Sequence, residues 1–293
     1  MLSITIDNRR GVLKKDWRKK PTITKNRGLV CFFNEETGEY KVIDENILPD
    51  NLIDVDNYKP FGCYVKDKNI YVANHDKIIK LDKEGNYINY TTNEGFKNPH
   101  QILITGNVVC YTNTGNDKIH LLNNGRHYII DLKTLNKSYK DIDGVDTHHV
   151  NSLCLHDNKV FFCLHNRGTK PSQYFYIDLK NDKIEYLFEY GLCSHNCEVE
   201  GDFLYTFDTE GGNFACINWK TGSGWETKLV DYEEYFLRGL VLTKNHFIVG
   251  ASLRKTPTGK GDSEILIVDR ETKEIVNKYK IEGYNTVRDI KQI

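Results

Sequence analysis

One pattern recurs along this chain and leaves few folds open to it. A short, apolar, β-rich run is followed by a turn of Asn, Asp or Gly and then by a second such run. Residues 61–65 precede 68–72, 100–104 precede 106–110, 150–154 precede 158–162, 195–199 precede 201–205, and 238–242 precede 245–249. The pairs carry the anchors Gly62, His100, Ser152, His195 and Gly239, spaced 38, 52, 43 and 44 residues apart. Further runs follow each pair, such as 77–81 with 87–90 and 214–218 with 227–230. Four short strands repeating every ~40 to 50 residues are the mark of a β-propeller, in which each repeat is one four-stranded blade.

Five repeats are explicit, and a sixth assembles from the two ends. Residues 287–290 form its inner strand, with 3–6, 29–33 and 40–43 completing it. Closing the ring with strands from both termini removes the open edges that a linear array of sheets would expose. The expectation is an all-β, six-bladed propeller over residues 1–293, with five blades as the alternative. The Lys/Arg-rich stretch 13–27 is then a basic surface insertion in the first blade.

Composition narrows the partners. Forty Lys and Arg against 41 Asp and Glu leave a net charge of −1, without the basic excess that nucleic acid or a membrane surface requires. No run approaches the roughly 18 apolar residues of a spanning helix. The first seven residues, Met1-Leu2-Ser3-Ile4-Thr5-Ile6-Asp7, lack the basic start and apolar core of a secretion signal, so a cytoplasmic location is expected. The eight cysteines agree: Cys31, Cys63, Cys110, Cys154, Cys163 and Cys216 sit singly inside apolar runs, as reduced, buried thiols do.

In a propeller the innermost strands line a central channel, and the residues that begin them ring one mouth of it. Here these are Phe61, His100, His149 with Asn151, His195, Arg238 and Arg288. Imidazoles in such a ring handle protons or bind metal. Guanidinium groups beside them grip sulfate, phosphate or carboxylate. The sharpest local motif is Asp146-Thr147-His148-His149-Val150-Asn151-Ser152-Leu153, in which Asp146 would orient His148 or His149 by accepting a ring N–H. Arg167 lies near the top of the same blade's second strand.

Three functional readings follow. The first is a channel enzyme acting on a small anionic molecule without a cofactor. Its catalytic residues would be His195 and His149, with His100, Asn151, Arg167, Arg238 and Arg288 binding substrate. The second is a metal-dependent lyase, hydrolase or oxygenase, with a divalent metal held by His100, His149 and His195 and one coordination position left open. Strand alternation would add Cys193 and Cys197 to His195 as a zinc or iron corner, and Glu198 is a candidate acid or base. The third is a non-catalytic propeller that binds a glycan or a protein on one rim. Trp219 and Trp225 read as blade packing, or as a platform for a sugar or phenol ring. The loop at 256–262 lacks the spacing of a phosphate-binding loop and reads as a hairpin over the channel mouth.

Two resemblances bear on these readings. Asp146, His149, Asn151, Ser152 and the later Arg167 resemble the central motif of the arylsulfate sulfotransferases. The segment 195–212 is similar to that family's histidine strand, and His100-Gln101-Ile102 to an earlier one. The resemblance implies a six-bladed propeller, His195 as the nucleophile that carries the sulfuryl group, and His100, His149 and Arg167 as the sulfate grip. Leu237-Arg238-Gly239-Leu240 and the segments 249–252, 265–269 and 284–290 resemble a group of uncharacterised propellers, the DUF4915-like proteins, which implies the fold and no chemistry.

Overall fold

A computed structural model describes residues 1–7, 28–49, 52, 60–92, 95–135, 146–254 and 261–293. The basic stretch 13–27 and most of the loop 256–262 lie outside these residues.

The described strands form six antiparallel sheets of four. Blade 1 is closed by the two ends of the chain: Thr286–Gln292 is innermost, followed by Leu2–Asp7, Gly28–Phe33 and Tyr40–Asp44. This is the arrangement expected from the sequence, and it settles six blades over five. Blade 2 runs outward through Pro60–Lys66, Asn69–Asn74, Lys77–Asp82 and Tyr87–Thr92, and blade 3 through Ile102–Thr105, Val108–Asn113, Lys118–Asn123 and Arg126–Asp131. Blade 4 comprises Val150–His156, Lys159–Leu164, Ser172–Asp178 and Lys183–Tyr190. Blade 5 comprises His195–Glu200, Phe203–Asp208, Asn213–Asn218 and Gly224–Lys228. Blade 6 comprises Tyr235–Leu242, His246–Leu253, Ser263–Asp269 and Ile275–Ile281. Each innermost strand packs against the innermost strand of the next blade, and the sixth packs back on the first, so the ring is closed.

The apolar residues are spent between blades. Leu2, Ile4 and Phe33 of blade 1 pack with Ile248, Ile265 and Ile267 of blade 6. Phe207 and Phe214 of blade 5 meet Phe247 and Leu266 of blade 6. Burial of each such side chain stabilises by about 1.5–3 kcal/mol. Outer strands alternate less and stay wet, as the mostly exposed Tyr87–Thr92 shows. Trp219 packs edge-on against Phe161, and Trp225 against Phe214, so both serve blade packing. All eight cysteines are free thiols. Burial pushes Cys31 and Cys163 up to about 12, which leaves them protonated and unreactive.

The innermost strands are also tied by polar groups that cross the channel. Asp289 of blade 1 is 1% exposed, and its carboxylate accepts from the Cys63 N–H of blade 2 at 3.1 Å and from Gln101 Nε2 of blade 3 at 2.7 Å. Asn196 Nδ2 of blade 5 reaches the other carboxylate oxygen at 3.4 Å, while Asn196 Oδ1 accepts the Gly239 N–H of blade 6 at 2.7 Å. Farther along the same strands, Lys291 of blade 1 pairs with Glu198 of blade 5 at 2.5 Å, which gives Glu198 a structural partner.

Candidate functional site

The mouth is built by irregularities in the strands that line it. In blade 4 the pairing slips between Val150 and Ser152, leaving Asn151 as an extra residue. In blade 6 it slips between Arg238 and Leu240, leaving Gly239, and in blade 1 the slip leaves Arg288. In blades 2 and 5 two residues oppose one, Phe61 with Gly62 and Asn196 with Cys197. Such bulges turn side chains out of the ladder, which is why they gather beside binding sites. Blade 3 has no slip there. The Thr112 hydroxyl instead accepts from the N–H groups of both His100 and Gln101, at 3.0 and 2.9 Å.

These residues converge. Phe61, His100, Asn151, His195, Arg238 and Arg288 line one concavity of about 300 Å³, measured out to its open mouth, with Gln101, Ser152 and Asn196 between them. His149 stands beside it. The rings form a continuous arc: Phe61 stacks on His100 at 4.1 Å between centroids, His100 meets His149 at 4.7 Å, His149 meets His165 at 4.8 Å, and His165 meets His195 at 4.8 Å. The guanidinium of Arg288 lies over the Phe61 ring at 5.6 Å, so Phe61 supports both an imidazole and a cation.

Burial holds His100, His165 and His195 well below the usual histidine range, and the positive charges of Arg238 and neighbouring imidazoles push the same way. All three are therefore neutral at pH 7, and the positive charge of the mouth comes from its arginines. Hydrogen bonds fix which nitrogen of His195 carries the proton. Thr209 gives its hydroxyl hydrogen to the Leu237 carbonyl at 3.3 Å and so accepts from His195 Nδ1–H at 3.0 Å. The lone pair is left on Nε2, which is buried and has no hydrogen-bond partner among the described residues.

His149 is oriented by Asp146, whose Oδ1 accepts Nδ1–H at 2.8 Å. Of the two histidines that Asp146 was expected to orient, this is the second. His148 instead gives its backbone N–H to Asp117, whose buried carboxylate also takes the N–H groups of Thr147 and His149. Arg167 is placed differently from the substrate grip implied by the sulfotransferase resemblance. Its side chain is half-exposed on the rim and engages Asp146, Nε donating to the backbone oxygen at 2.6 Å and Nη2 to the carboxylate.

Among the described residues, no three His, Cys, Asp or Glu side chains come together as a metal ion needs. His100, His149 and His195 follow one another round the rim, with His165 between the last two, rather than meeting at a point. The proposed corner of Cys193, His195 and Cys197 is broken by the bulge. Asn196 takes a left-handed φ of 60°, and Cys197 turns into the blade 4–blade 5 core with Cys154 and Cys163.

Sequence reasoning missed His165, Thr209, Gln101, Asn196 and Asp289. Signals pointed to two of them: a carboxylate inside the inner strand Val287-Arg288-Asp289-Ile290 for Asp289, and the His-Asn-Arg-Gly turn after the strand Lys159–Leu164 for His165.

No family model matches the chain, and no curated protein matches its sequence. Solved structures do. A chain of the nidogen/laminin complex is 10% identical with a TM-score of 0.67, covering 99% of this chain and 96% of that one. A protein of unknown function from Bacteroides caccae is 10% identical with a TM-score of 0.64, covering 99% and 97%. A luciferin-regenerating enzyme is 10% identical with a TM-score of 0.56, covering 77% of each chain. At such identities the likeness is one of fold, and the protein is a six-bladed β-propeller. The sulfotransferase and DUF4915-like resemblances gain no family match. No described helix is long and apolar enough to cross a membrane.

Proposed function

We propose that the protein is an enzyme acting on a small anionic ester at the channel mouth, and that it transfers a sulfuryl-type group through His195. The observation that carries this reading is the state of that imidazole: neutral, its proton fixed on Nδ1 by Thr209, its buried Nε2 without a hydrogen-bond partner among the described residues, on a ring that lines a concavity with Arg238 and Arg288. Such a nitrogen is an activated nucleophile. In the first step Nε2 attacks the sulfur of an aryl or alkyl sulfate. The N–S bond forms, the ester S–O bond breaks, and the leaving oxygen keeps the electron pair. In the second step an acceptor hydroxyl attacks the same sulfur, the N–S bond breaks, and the hydroxyl proton passes to His149. Asp146 stabilises the resulting imidazolium. Arg238 and Arg288 balance the charge on the transferred oxygens.

The fold does not choose among functions, since the similar structures include a chain of a protein complex and an enzyme. The test is incubation with p-nitrophenyl sulfate and a phenolic acceptor, with p-nitrophenyl phosphate in parallel. Release of p-nitrophenol and an adduct on the His195 peptide are expected, and both should be lost in His195→Ala. Binding of the ester without turnover would replace this reading with a purely ligand-binding propeller. Turnover that persists in His195→Ala would remove His195 from the chemistry.

A further inference from the structure

Arg167 is linked to two imidazoles of the arc, to His165 directly and to His149 through Asp146. Its guanidinium clamps Asp146, which in turn accepts the Nδ1–H of His149. Its own backbone N–H donates to His165 Nδ1 at 3.1 Å. A carboxylate paired with a guanidinium only accepts, so His149 carries a proton on Nδ1, and in its neutral form the lone pair is on Nε2. A backbone N–H only donates, so neutral His165 must hold its lone pair on Nδ1 and carry its proton on Nε2. The two rings lie 4.8 Å apart at an interplanar angle of 58°. Arg167 reaches both because Asn166 and Arg167 take left-handed φ values of 53° and 48°, curling the turn back over the mouth. A side chain rarely accepts that strain without a gain elsewhere.

We infer that Arg167 is a positioning residue that sets His149 and His165 in opposite tautomers, so that the mouth offers an acceptor nitrogen beside a donor N–H. This deepens the function proposed above, and it rests on that reading for the following assignment. A hydroxyl is the group that both donates and accepts. The second substrate is therefore an alcohol, a phenol or water, held between His149 Nε2 and His165 Nε2–H. His165 joins the site as the donor, and Arg167 leaves the set of residues that touch the anion.

The experiment has two arms on the full chain. In the first, long-range ¹H–¹⁵N NMR on [¹⁵N]histidine-labelled protein reads the tautomers, with His149→Gln and His165→Gln supplying the assignments. The wild type should show Nδ1–H on His149 and Nε2–H on His165. In Arg167→Ala the His149 signal should become a mixture of tautomers, while His165, bonded to a backbone N–H, keeps its state; Arg167→Lys should restore much of the His149 signal. If Arg167→Ala is too unstable to label, Arg167→Gln takes its place. The same tautomer on both rings in the wild type, or an unchanged His149 in the variant, overturns the proposal. In the second arm, Arg167→Ala should lower kcat for sulfuryl transfer by about 10- to 100-fold, as loss of an orienting partner does, with KM for the sulfate donor little changed. A raised KM with kcat retained would mean that Arg167 grips the anion itself, and would overturn the positioning role. A wild type that turns over no ester sinks the proposed function and the hydroxyl assignment, while the tautomer arm still decides the role of Arg167.

Discussion

Asp289 and Gln101 are separated by 188 residues of chain and joined by a 2.7 Å hydrogen bond inside the channel. The carboxylate belongs to the strand that closes blade 1 and the amide to the start of blade 3, so the bond spans the ring. With the Cys63 N–H and Asn196 it ties the innermost strands of four blades through one side chain.

Removing that carboxylate should cost more than a surface change. Asp289→Ala leaves a buried amide and a buried N–H without their acceptor, and it removes one of the two carboxylates near Lys291, the one at 3.9 Å, leaving Glu198. A loss of about 2–4 kcal/mol is expected, read from urea unfolding, with Asp289→Asn intermediate. A loss below about 1 kcal/mol would show that the strands are held by apolar packing alone.

Acid should destabilise the protein through its channel histidines. His100, His165 and His195 have folded pKa values lowered mainly by burial, whereas in the unfolded chain each titrates at about 6.5. Below that pH the unfolded state therefore binds more protons than the folded one. Their contribution is fully present above pH ~6.5 and is lost as the pH falls from there toward the folded values. The urea midpoint should drop between pH 7.5 and pH 5, and drop less in a His165→Gln/His195→Gln double variant. A midpoint that stays level across this range in the wild type would contradict the neutral arc.

Gly239 should resist substitution for two separable reasons. Its φ is +79°, and a Cβ there would lie 2.6 Å from Ile290 Cγ1. Gly201 has a φ of +59° and nothing within 4 Å of a built Cβ, so Gly201→Ala reports backbone strain alone. Gly201→Ala should cost about 1 kcal/mol and Gly239→Ala about 2–3 kcal/mol. Equal losses, compared by thermal unfolding, would mean that the blade 6–blade 1 contact relaxes freely.

The architecture was legible because a propeller repeats. Each blade re-states the same strand–turn–strand pattern, so Gly62, His100, Ser152, His195 and Gly239 could be aligned from sequence. The run 287–290 had no partner except the N-terminal runs. The mouth was legible for the same reason: the residue types that begin the inner strands must face one another once the ring closes. Phe61, His100, Asn151, His195, Arg238 and Arg288 do so.

The chain by itself therefore determined the four-stranded repeat, the closure by both termini, and which residues ring the channel, while the structure settled six blades over five. Those follow from local periodicity and from the geometry of a closed ring. Only the tertiary structure decided how those residues are held. Bulges at Asn151, Asn196 and Gly239 break the alternation that sequence reasoning relies on, which is why Cys197 turns into the core. Two of the partners that fix protons are local: Asp146 lies three residues before His149 and was legible in the sequence, and the Arg167 backbone lies two residues after His165. Thr209 for His195 and Asp289 for Gln101 are contacts that no local pattern encodes, because each depends on where the chain returns rather than on what lies beside it.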